Sequence, residues 1–174
     1  MPASNKKILT LDELSAKSKE CRDSGKKVVL CHGAFDLIHA GHIRYLKSAK
    51  NEGDILFVTV TADEFVNKGP GRPVFPQDLR VENLAYLSFV DFVAINNDPT
   101  AVNLISEIKP HAYVKGPDYK NMEDDITGNI YTEKKAVEAH GGKIVFTDDI
   151  TFSSTSLLNE HFGGFPPRNQ RLPS

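Results

Sequence analysis

Two histidines, His39 and His42, stand close together in the stretch VVLCHGAFDLIHAGHIRYLKSAK, residues 28–50. Its first apolar run predicts a buried strand, and apolar residues at every third position from Ile43 predict that a helix follows. The turn between them then lies at the carboxyl edge of a sheet, where the first N–H groups of the helix attract anions. Each imidazole can donate a hydrogen bond to a phosphate oxygen, and Gly41 leaves room for close approach. The pattern predicts a phosphate clamp whose imidazoles a bound anion would draw towards protonation. The alternative is that one or both histidines only cap the helix or fill a polar niche.

Further along, two cations lie on a loop. Lys68 and Arg72 belong to DEFVNKGPGRPVFP, residues 63–76, whose glycines and prolines exclude a regular helix or a central strand. Cations on such a loop can fold over a triphosphate, and the alternative is that they are only solvated. Arg80 opens the next predicted helix, and for this residue the alternative is an ion pair with a nearby acid.

A third candidate segment is KGPDYKN, residues 115–121, which contains the forced turn Gly116-Pro117. Lys115 can meet a phosphate, while Asp118 and Tyr119 can bind the hydroxyls of a base or sugar. The alternative is a plain turn in which Asp118 holds backbone N–H groups. A fourth segment, TFSSTSLLNEHF, carries small hydroxylated residues ahead of a helical pattern. They predict a helix start that faces an anion, or simple capping without a ligand.

The elements that position these residues alternate along the chain. Apolar runs predict strands at residues 28–31, 55–61, 91–95, 111–114 and 143–146. Helical spacing predicts helices at 77–87, from Asp98 or Thr100 to Lys109, and at 133–140. A capping box of Thr10 and Glu13 starts a helix that Gly25 ends, and residues 1–9 are expected to fray. This order predicts an α/β fold, a single-domain, Rossmann-like, doubly wound, parallel five-stranded sheet.

The decapeptide GAFDLIHAGH resembles the signature G-x-F-D-x-x-H-x-G-H of the small nucleotidyltransferases, and the resemblance extends from about Lys26 to Leu158. That group includes glycerol-3-phosphate cytidylyltransferase and the adenylyltransferase domain of the bifunctional heptose-phosphate enzyme. VKGPDY is similar to the V-K-G-x-D-Y stretch of the heptose-phosphate adenylyltransferases rather than to the G-D-D-W of the cytidylyltransferases. The cytidylyltransferases also usually carry an arginine between the positions of Lys143 and Ser153, where this chain has none. The loop at 122–132 is longer than expected for the heptose enzymes, which leaves the acceptor open.

The resemblance implies a role for each candidate residue. Nucleotide contacts are expected from Gly33, Ala34, Phe35, His39, Gly41, His42, Lys115, Gly116, Ser153, Ser154 and Thr155. Substrate contacts are expected from Asp36, Lys68, Arg72, Arg80, Asp118 and Tyr119. We take His39, His42 and Lys68 as the catalytic set, and we leave open whether Asp36 orients the turn or helps to hold a metal or the acceptor.

The implied reaction is direct in-line attack by the phosphate of a sugar or polyol phosphate on the α-phosphorus of a nucleoside triphosphate. ATP is the favoured donor, a heptose 1-phosphate type of acceptor is favoured, and Mg²⁺ is expected to ride on the triphosphate rather than in a protein metal site. One alternative is a cytidylyltransferase acting on glycerol 3-phosphate or another polyol phosphate. Another is a non-catalytic nucleotide-binding regulatory module.

Composition limits the partners. A formal net charge of -2 over 174 residues gives no general basic field, so neither nucleic acid nor an anionic membrane is expected as a partner. Two cysteines and the lack of a long apolar stretch favour a cytoplasmic protein. We expect a helical extension at 1–25, the nucleotidyltransferase domain at 26–162 and a tail or linker at 163–174. The resemblance implies fusion to, or partnership with, a sugar kinase, and a homodimer is compatible with the sequence.

Overall fold

The computed structural model describes residues 5–69, 71–117 and 129–149. These residues contain five strands, β1 (Val28–Gly33), β2 (Ile55–Thr61), β3 (Phe92–Asn96), β4 (Ala112–Lys115) and β5 (Lys143–Phe146). All the pairings are parallel, and the strand order is β3-β2-β1-β4-β5. The order reverses between β1 and β4, so a crevice opens there at the carboxyl ends of the strands. The predicted single-domain, Rossmann-like, doubly wound fold is confirmed.

Five α-helices cover the two faces of this sheet in the described residues. They are α1 (Leu11–Asp23), α2 (Ala40–Lys50), α3 (Gln77–Ala85), α4 (Val102–Ile108) and α5 (Ile130–Ala139). Apolar residues of α2 and α3 pack on one face, and those of α1, α4 and α5 pack on the other. Because the central strands are buried on both sides, they read as continuous apolar runs in the sequence. Within the part of the chain described, no helix has the length and apolar character needed to cross a membrane.

Hydrogen bonds fix residues 7–9 to β3 and cap the start of α1. The hydroxyl of Thr10 accepts from the Glu13 N–H at 3.2 Å, and the Glu13 carboxylate accepts from the Thr10 N–H at 2.8 Å, which confirms the predicted capping box. The Leu9 N–H donates to the Val93 carbonyl at 2.9 Å, and the Val93 N–H donates to the Lys7 carbonyl at 2.8 Å. The expectation of fraying is therefore wrong for residues 7–9, because they satisfy the open edge of β3.

Helix α4 begins later than predicted. Its N-cap is Ala101, which makes no side-chain capping bond, rather than Asp98 or Thr100. The carbonyls of those two residues instead accept from the Asn96 amide, at 3.2 and 2.9 Å, so they belong to a turn that follows β3. Lys109 ends α4 in the left-handed conformation at φ 48, at the predicted boundary.

Helix α5 begins one turn earlier than the predicted start at Glu133. Ile130, at its first position, is buried, and it continues the buried face formed by Glu133 and Val137. The predicted glycine stop is confirmed, since Gly141 follows the helix with φ 78. Gly142 is required there as well, because a Cβ at this position would lie 2.2 Å from the Pro110 carbonyl oxygen.

Candidate active site

The turn after β1 is anchored by aromatic packing. Phe35 has a φ of 46 and a buried ring, and a Cβ at Gly33 would lie 3.3 Å from that ring. The Phe35 ring meets His42 edge-on at 5.4 Å and stacks on Tyr45 at 6.5 Å between centroids. The Tyr45 hydroxyl in turn donates to the Val114 carbonyl at 2.6 Å, which ties α2 to β4. The turn is thus fixed across the crevice between β1 and β4.

The two histidines lie at the amino end of α2. His39 is the N-cap, and its Nδ1 accepts from the His42 N–H at 3.4 Å, so the predicted alternative of helix capping is present. Because Nδ1 accepts, the proton of neutral His39 resides on Nε2, the nitrogen that can donate to a phosphate. The two rings stack with centroids 3.8 Å apart. Nδ1 of His42 is buried and has no hydrogen-bond partner among the described residues. Gly41 lies buried between them in the first turn.

Both imidazoles are held neutral. The pKa of His42 is lowered to about 4, mainly by burial and then by His39 and Lys68, while the Leu37 backbone acts in the opposite direction. The pKa of His39 is also lowered, by burial and then by Lys68. A bound polyanion would oppose these causes and raise both pKa values. The pair can therefore take up protons as a triphosphate binds.

Lys68 is the exposed cation of the predicted loop. The structure brings it close enough to both histidines to lower their pKa values. The pKa of Lys68 itself is lowered, first by partial desolvation and then by Arg72, with Asp36 acting against this and Arg80 adding to it. The predicted catalytic set is thus one electropositive group of side chains.

The Asp36 carboxylate anchors the cationic loop through hydrogen bonds. Its carboxylate is buried, and Oδ2 accepts from Arg72 Nε at 2.5 Å. Oδ1 accepts from the backbone N–H groups of Val74 and Phe75, at 2.7 and 3.2 Å. Of the two predicted alternatives for Asp36, these contacts favour orientation of the turn. Arg72 is buried in the same arrangement, with 5% of its side chain exposed.

Arg80 on α3 is fully buried, and its guanidinium joins three segments of the site. It donates to the carbonyls of Phe75 at 3.0 Å, Ala34 at 2.5 Å and Thr61 at 2.8 Å. It also forms an ion pair with Asp63 at 2.6 Å, which is the predicted alternative for this residue. Arg80 therefore links the turn after β1, the end of β2 and the cationic loop.

Lys115 ends β4 and is buried against α5. Its Nζ lies 3.0 Å from the Glu133 carboxylate and 5.0 Å from the centroid of the Tyr113 ring. The Tyr113 hydroxyl donates to the same carboxylate at 3.1 Å. Gly116 follows at the strand end, where an added Cβ would meet no atom within 4 Å.

Several predicted residues lie outside the described part of the chain. They are Asp118, Tyr119, Ser153, Ser154 and Thr155, together with most of the 122–132 loop and the 163–174 tail. Within 5–69, 71–117 and 129–149, no group of three or more His, Cys, Asp or Glu residues could hold a metal ion.

Sequence reasoning missed three residues that support the site. Tyr45, Asp63 and Glu133 each fix a group described above. A signal for Glu133 was present, because it shares one helical face with Ile130 and Val137 and is therefore expected to be buried. Buried carboxylates require a partner, and Lys115 is that partner here.

Proteins of known family are similar to this chain in sequence. The cytidylyltransferase-like family model matches residues 30–160. Two curated proteins named bifunctional protein HldE are 38% and 43% identical to this chain, from Methylobacillus flagellatus over 154 residues and from Vibrio vulnificus over 149 residues. Those matches cover 87% and 84% of this chain but 30% of each relative. The chain therefore spans less than a third of the length of these relatives.

Solved structures agree with the family match. The crystal structure of the lipopolysaccharide core biosynthesis protein from Thermoplasma volcanium GSS1 is 28% identical with a TM-score of 0.60, over 73% of this chain and 100% of that one. Pantoate-beta-alanine ligase from Francisella tularensis is 15% identical with a TM-score of 0.56, over 86% of this chain and 74% of that one, and it shows the fold alone. Because the family model covers well over half of the sequence, the chain belongs to the cytidylyltransferase-like family, whose members are nucleotidyltransferases.

Proposed function

We propose that this chain transfers a nucleoside monophosphate, from ATP in preference to other donors, to a sugar phosphate of the heptose 1-phosphate type. The observation that supports this most is the stacked, neutral pair of His39 and His42 at the amino end of α2, with Lys68 close to both. A relative named for lipopolysaccharide core biosynthesis, matched over its whole length, supports a sugar phosphate as the acceptor. The VKGPDY segment supports the adenylyl branch of the family.

The chemistry needs no enzyme nucleophile. An oxygen of the acceptor phosphate forms the new bond to the α-phosphorus, and the bond from that phosphorus to the oxygen bridging to the β-phosphate breaks. Pyrophosphate leaves with the electron pair of that bond. A phosphate monoester dianion is already a nucleophile at neutral pH, so catalysis rests on positioning and on neutralising developing charge.

The protein supplies that neutralisation in two ways. His39 and His42 donate hydrogen bonds to the triphosphate and take up protons as its charge arrives. Lys68 contributes a cation that Asp36, Arg72 and Arg80 hold in place through the loop. The protonated histidines then stabilise the negative charge that builds on the α-phosphate and on the leaving group.

Magnesium fits this arrangement as a companion of the nucleotide. Both oxygens of the Asp36 carboxylate already accept hydrogen bonds from the loop, so we assign the metal to phosphate oxygens and waters. When bound, it would supply positive charge on the triphosphate.

The test is pyrophosphate release with magnesium, using ATP, CTP, GTP and UTP in turn against a panel of sugar 1-phosphates and glycerol 3-phosphate. Turnover with ATP and a heptose or hexose 1-phosphate is expected. Turnover with CTP and glycerol 3-phosphate would replace this proposal by the cytidylyltransferase. Nucleotide binding with no release across the panel would favour an acceptor outside the panel or the regulatory module.

The clamp is tested by His42→Ala, for which we expect a loss of about 10²-fold to 10³-fold in turnover, as for other groups that stabilise developing charge. The matched control is His140→Ala, which changes an exposed histidine at the end of α5 and should leave turnover unchanged. Circular dichroism of both variants checks that they are folded. Wild-type turnover in a folded His42→Ala protein would remove the clamp from the mechanism.

We also infer a partner activity. The relatives are named bifunctional, and this chain matches 30% of their length, which leaves room in them for a second enzyme. A kinase that makes the sugar phosphate acceptor is the partner that the proposed reaction requires. Coupled assays with such a kinase and its free sugar would show pyrophosphate release that depends on both proteins.

A further inference from the structure

A second polar group lies beside the phosphate-binding turn, on the opposite face of the sheet. His32 is the residue before Gly33 at the end of β1, and the strand alternation places it on the α1, α4 and α5 side. Its Nδ1 lies 3.0 Å from Thr59 Oγ1 and its Nε2 lies 3.3 Å from Thr61 Oγ1. Both threonines belong to β2, and Thr59 is in register with His32. We call His32, Thr59 and Thr61 the hydroxyl row.

The position of the hydroxyl row is unusual for this face of the sheet. Deeper in the same two strands, the face is apolar, with Val28, Leu30 and Phe57 in the core. Continuing with apolar residues would avoid the cost of burying polar groups. Polarity begins only at the carboxyl edge, where doubly wound sheets bind their ligands. There His32 and Thr61 are partly exposed, whereas Thr59 is buried.

The next strand adds an unsatisfied acceptor. Asn96 on β3 is in register with Thr61 and is fully buried. Its amide nitrogen donates to two backbone carbonyls, but its Oδ1 has no hydrogen-bond partner among the described residues. A buried acceptor without a partner is costly, which points to a donor from outside the protein or from solvent at this edge.

The hydrogen bonds in the row have a direction. The Thr59 hydroxyl lies 3.5 Å from the Cys31 carbonyl, to which it donates, so it accepts from His32 Nδ1–H. His32 Nε2 is then the acceptor, and Thr61 donates its hydroxyl proton to it. Thr61 Oγ1 is left with lone pairs for a ligand that donates. A sugar hydroxyl can donate, whereas a phosphate dianion cannot.

The charge of the row agrees with this choice. Burial, followed by the charge of Lys115, lowers the pKa of His32 to about 3, with the Thr59 backbone acting in the opposite direction. The imidazole is therefore neutral at physiological pH, so the row carries no charge of its own. The row also adjoins the phosphate-binding side chains, because Arg80 donates to the Thr61 carbonyl at 2.8 Å.

We propose that the hydroxyl row binds a sugar hydroxyl of the substrate, with Thr61 as the contact and with His32 and Thr59 as positioning residues. This inference rests on the proposed function and deepens it. The same chemistry is offered by the acceptor sugar and by the ribose of the nucleotide, and the experiment separates the two.

The test compares Thr61→Val, which removes the hydroxyl but keeps a β-branched side chain, with the wild type. The KM of the substrate whose hydroxyl is bound should rise about fivefold to tenfold, as for one neutral hydrogen bond, with kcat changed less than twofold. Thr61→Ser should restore the KM. Thr132→Val, at an exposed threonine of α5, is the matched control and should change neither constant.

Deoxy substrates locate the hydroxyl. An acceptor lacking it should raise the KM of the wild type but not further raise that of Thr61→Val; 2′-deoxy- and 3′-deoxy-ATP give the same comparison for the ribose. Equilibrium Kd values for the sugar 1-phosphate and for the nucleotide are measured in parallel, since they do not need turnover. A weakened Kd for one ligand supports the row even if pyrophosphate release fails and the proposed function with it. Unchanged KM and Kd for both ligands in a folded Thr61→Val protein would overturn the inference while leaving the proposed function intact.

Discussion

Replacing Arg80 by methionine separates a substrate contact from a positioning role. The side chain is fully buried, and the substitution keeps its approximate length while it removes the guanidinium. Three carbonyl oxygens, those of Ala34, Thr61 and Phe75, each lose a charged donor. The Asp63 carboxylate, 40% exposed, can be rehydrated and adds little to the cost.

The size of the effect follows from these contacts. A hydrogen bond from a charged donor contributes about 1.5 kcal/mol, so three of them give a loss of about 4.5 kcal/mol in the free energy of unfolding. In a domain of this size, that corresponds to a fall of roughly 10 °C in Tm. Arg80→Lys keeps the charge but not the planar fork, and we expect it to recover only part of the loss.

The assay is urea denaturation, analysed by linear extrapolation, beside pyrophosphate release at saturating substrate. Arg44→Met, at an exposed arginine of α2, is the matched control and should change the free energy of unfolding by less than about 0.5 kcal/mol. For Arg80→Met, we expect lower stability together with a lower kcat, because the turn and the loop lose their common anchor. Wild-type stability combined with a raised KM for the triphosphate would show that Arg80 is instead a substrate contact.

Two further predictions concern charge. Because His42 has a pKa of about 4 in the folded protein and an ordinary value of 6.5 when unfolded, unfolding takes up a proton between these values and stability falls as pH falls. Urea unfolding at pH 7, 6 and 5 should therefore give a steeper decline for the wild type than for His42→Asn, by up to about 1.4 kcal/mol per pH unit; parallel declines would contradict this. Glu133→Gln, which removes the carboxylate beside the buried ammonium group of Lys115, should cost about 3 kcal/mol of unfolding free energy in the same assay. Glu138→Gln, in an exposed pair with Lys134 at 3.9 Å, should cost less than about 0.5 kcal/mol. Equal losses from the two variants would show that burial of the ion pair does not determine the cost of removing its carboxylate.

The central strands were predictable because their burial on both faces leaves a continuous apolar run, and β2 matches the predicted bounds. The edge strand β5 also matches its predicted bounds, although its residues are only partly buried or exposed. The ordered structure of residues 7–9 was not predictable, since it depends on hydrogen bonds to Val93, which lies far away in the sequence. The start of α4 was missed for a related reason. Asp98 and Thr100 are good capping residues, but Asn96 draws their carbonyls into a turn instead.

The site shows the same division between local and distant causes. The spacing of His39 and His42 fixes their common place at the start of α2, so sequence alone could bring them together. The sequence alone does not distinguish an arginine at position 80 that contacts a phosphate from one that donates to three carbonyls. Only the tertiary arrangement of Ala34 and Thr61 around it distinguishes these roles.

The positive charges of the site divide into two kinds with different work. Arg72 and Arg80 are buried and donate hydrogen bonds to protein groups, so they fix the conformation of the loop. Lys68 stays exposed on that loop. Burial is the main cause of the lowered pKa values of His39 and His42, and the charge of Lys68 lowers them further. The ligand-free site therefore carries the charge of Lys68 beside two neutral imidazoles, and a triphosphate raises the pKa of both imidazoles as it binds. Because the two arginines hold the turn and the loop in place before the substrate arrives, the electrostatic stabilisation requires little reorganisation during the reaction.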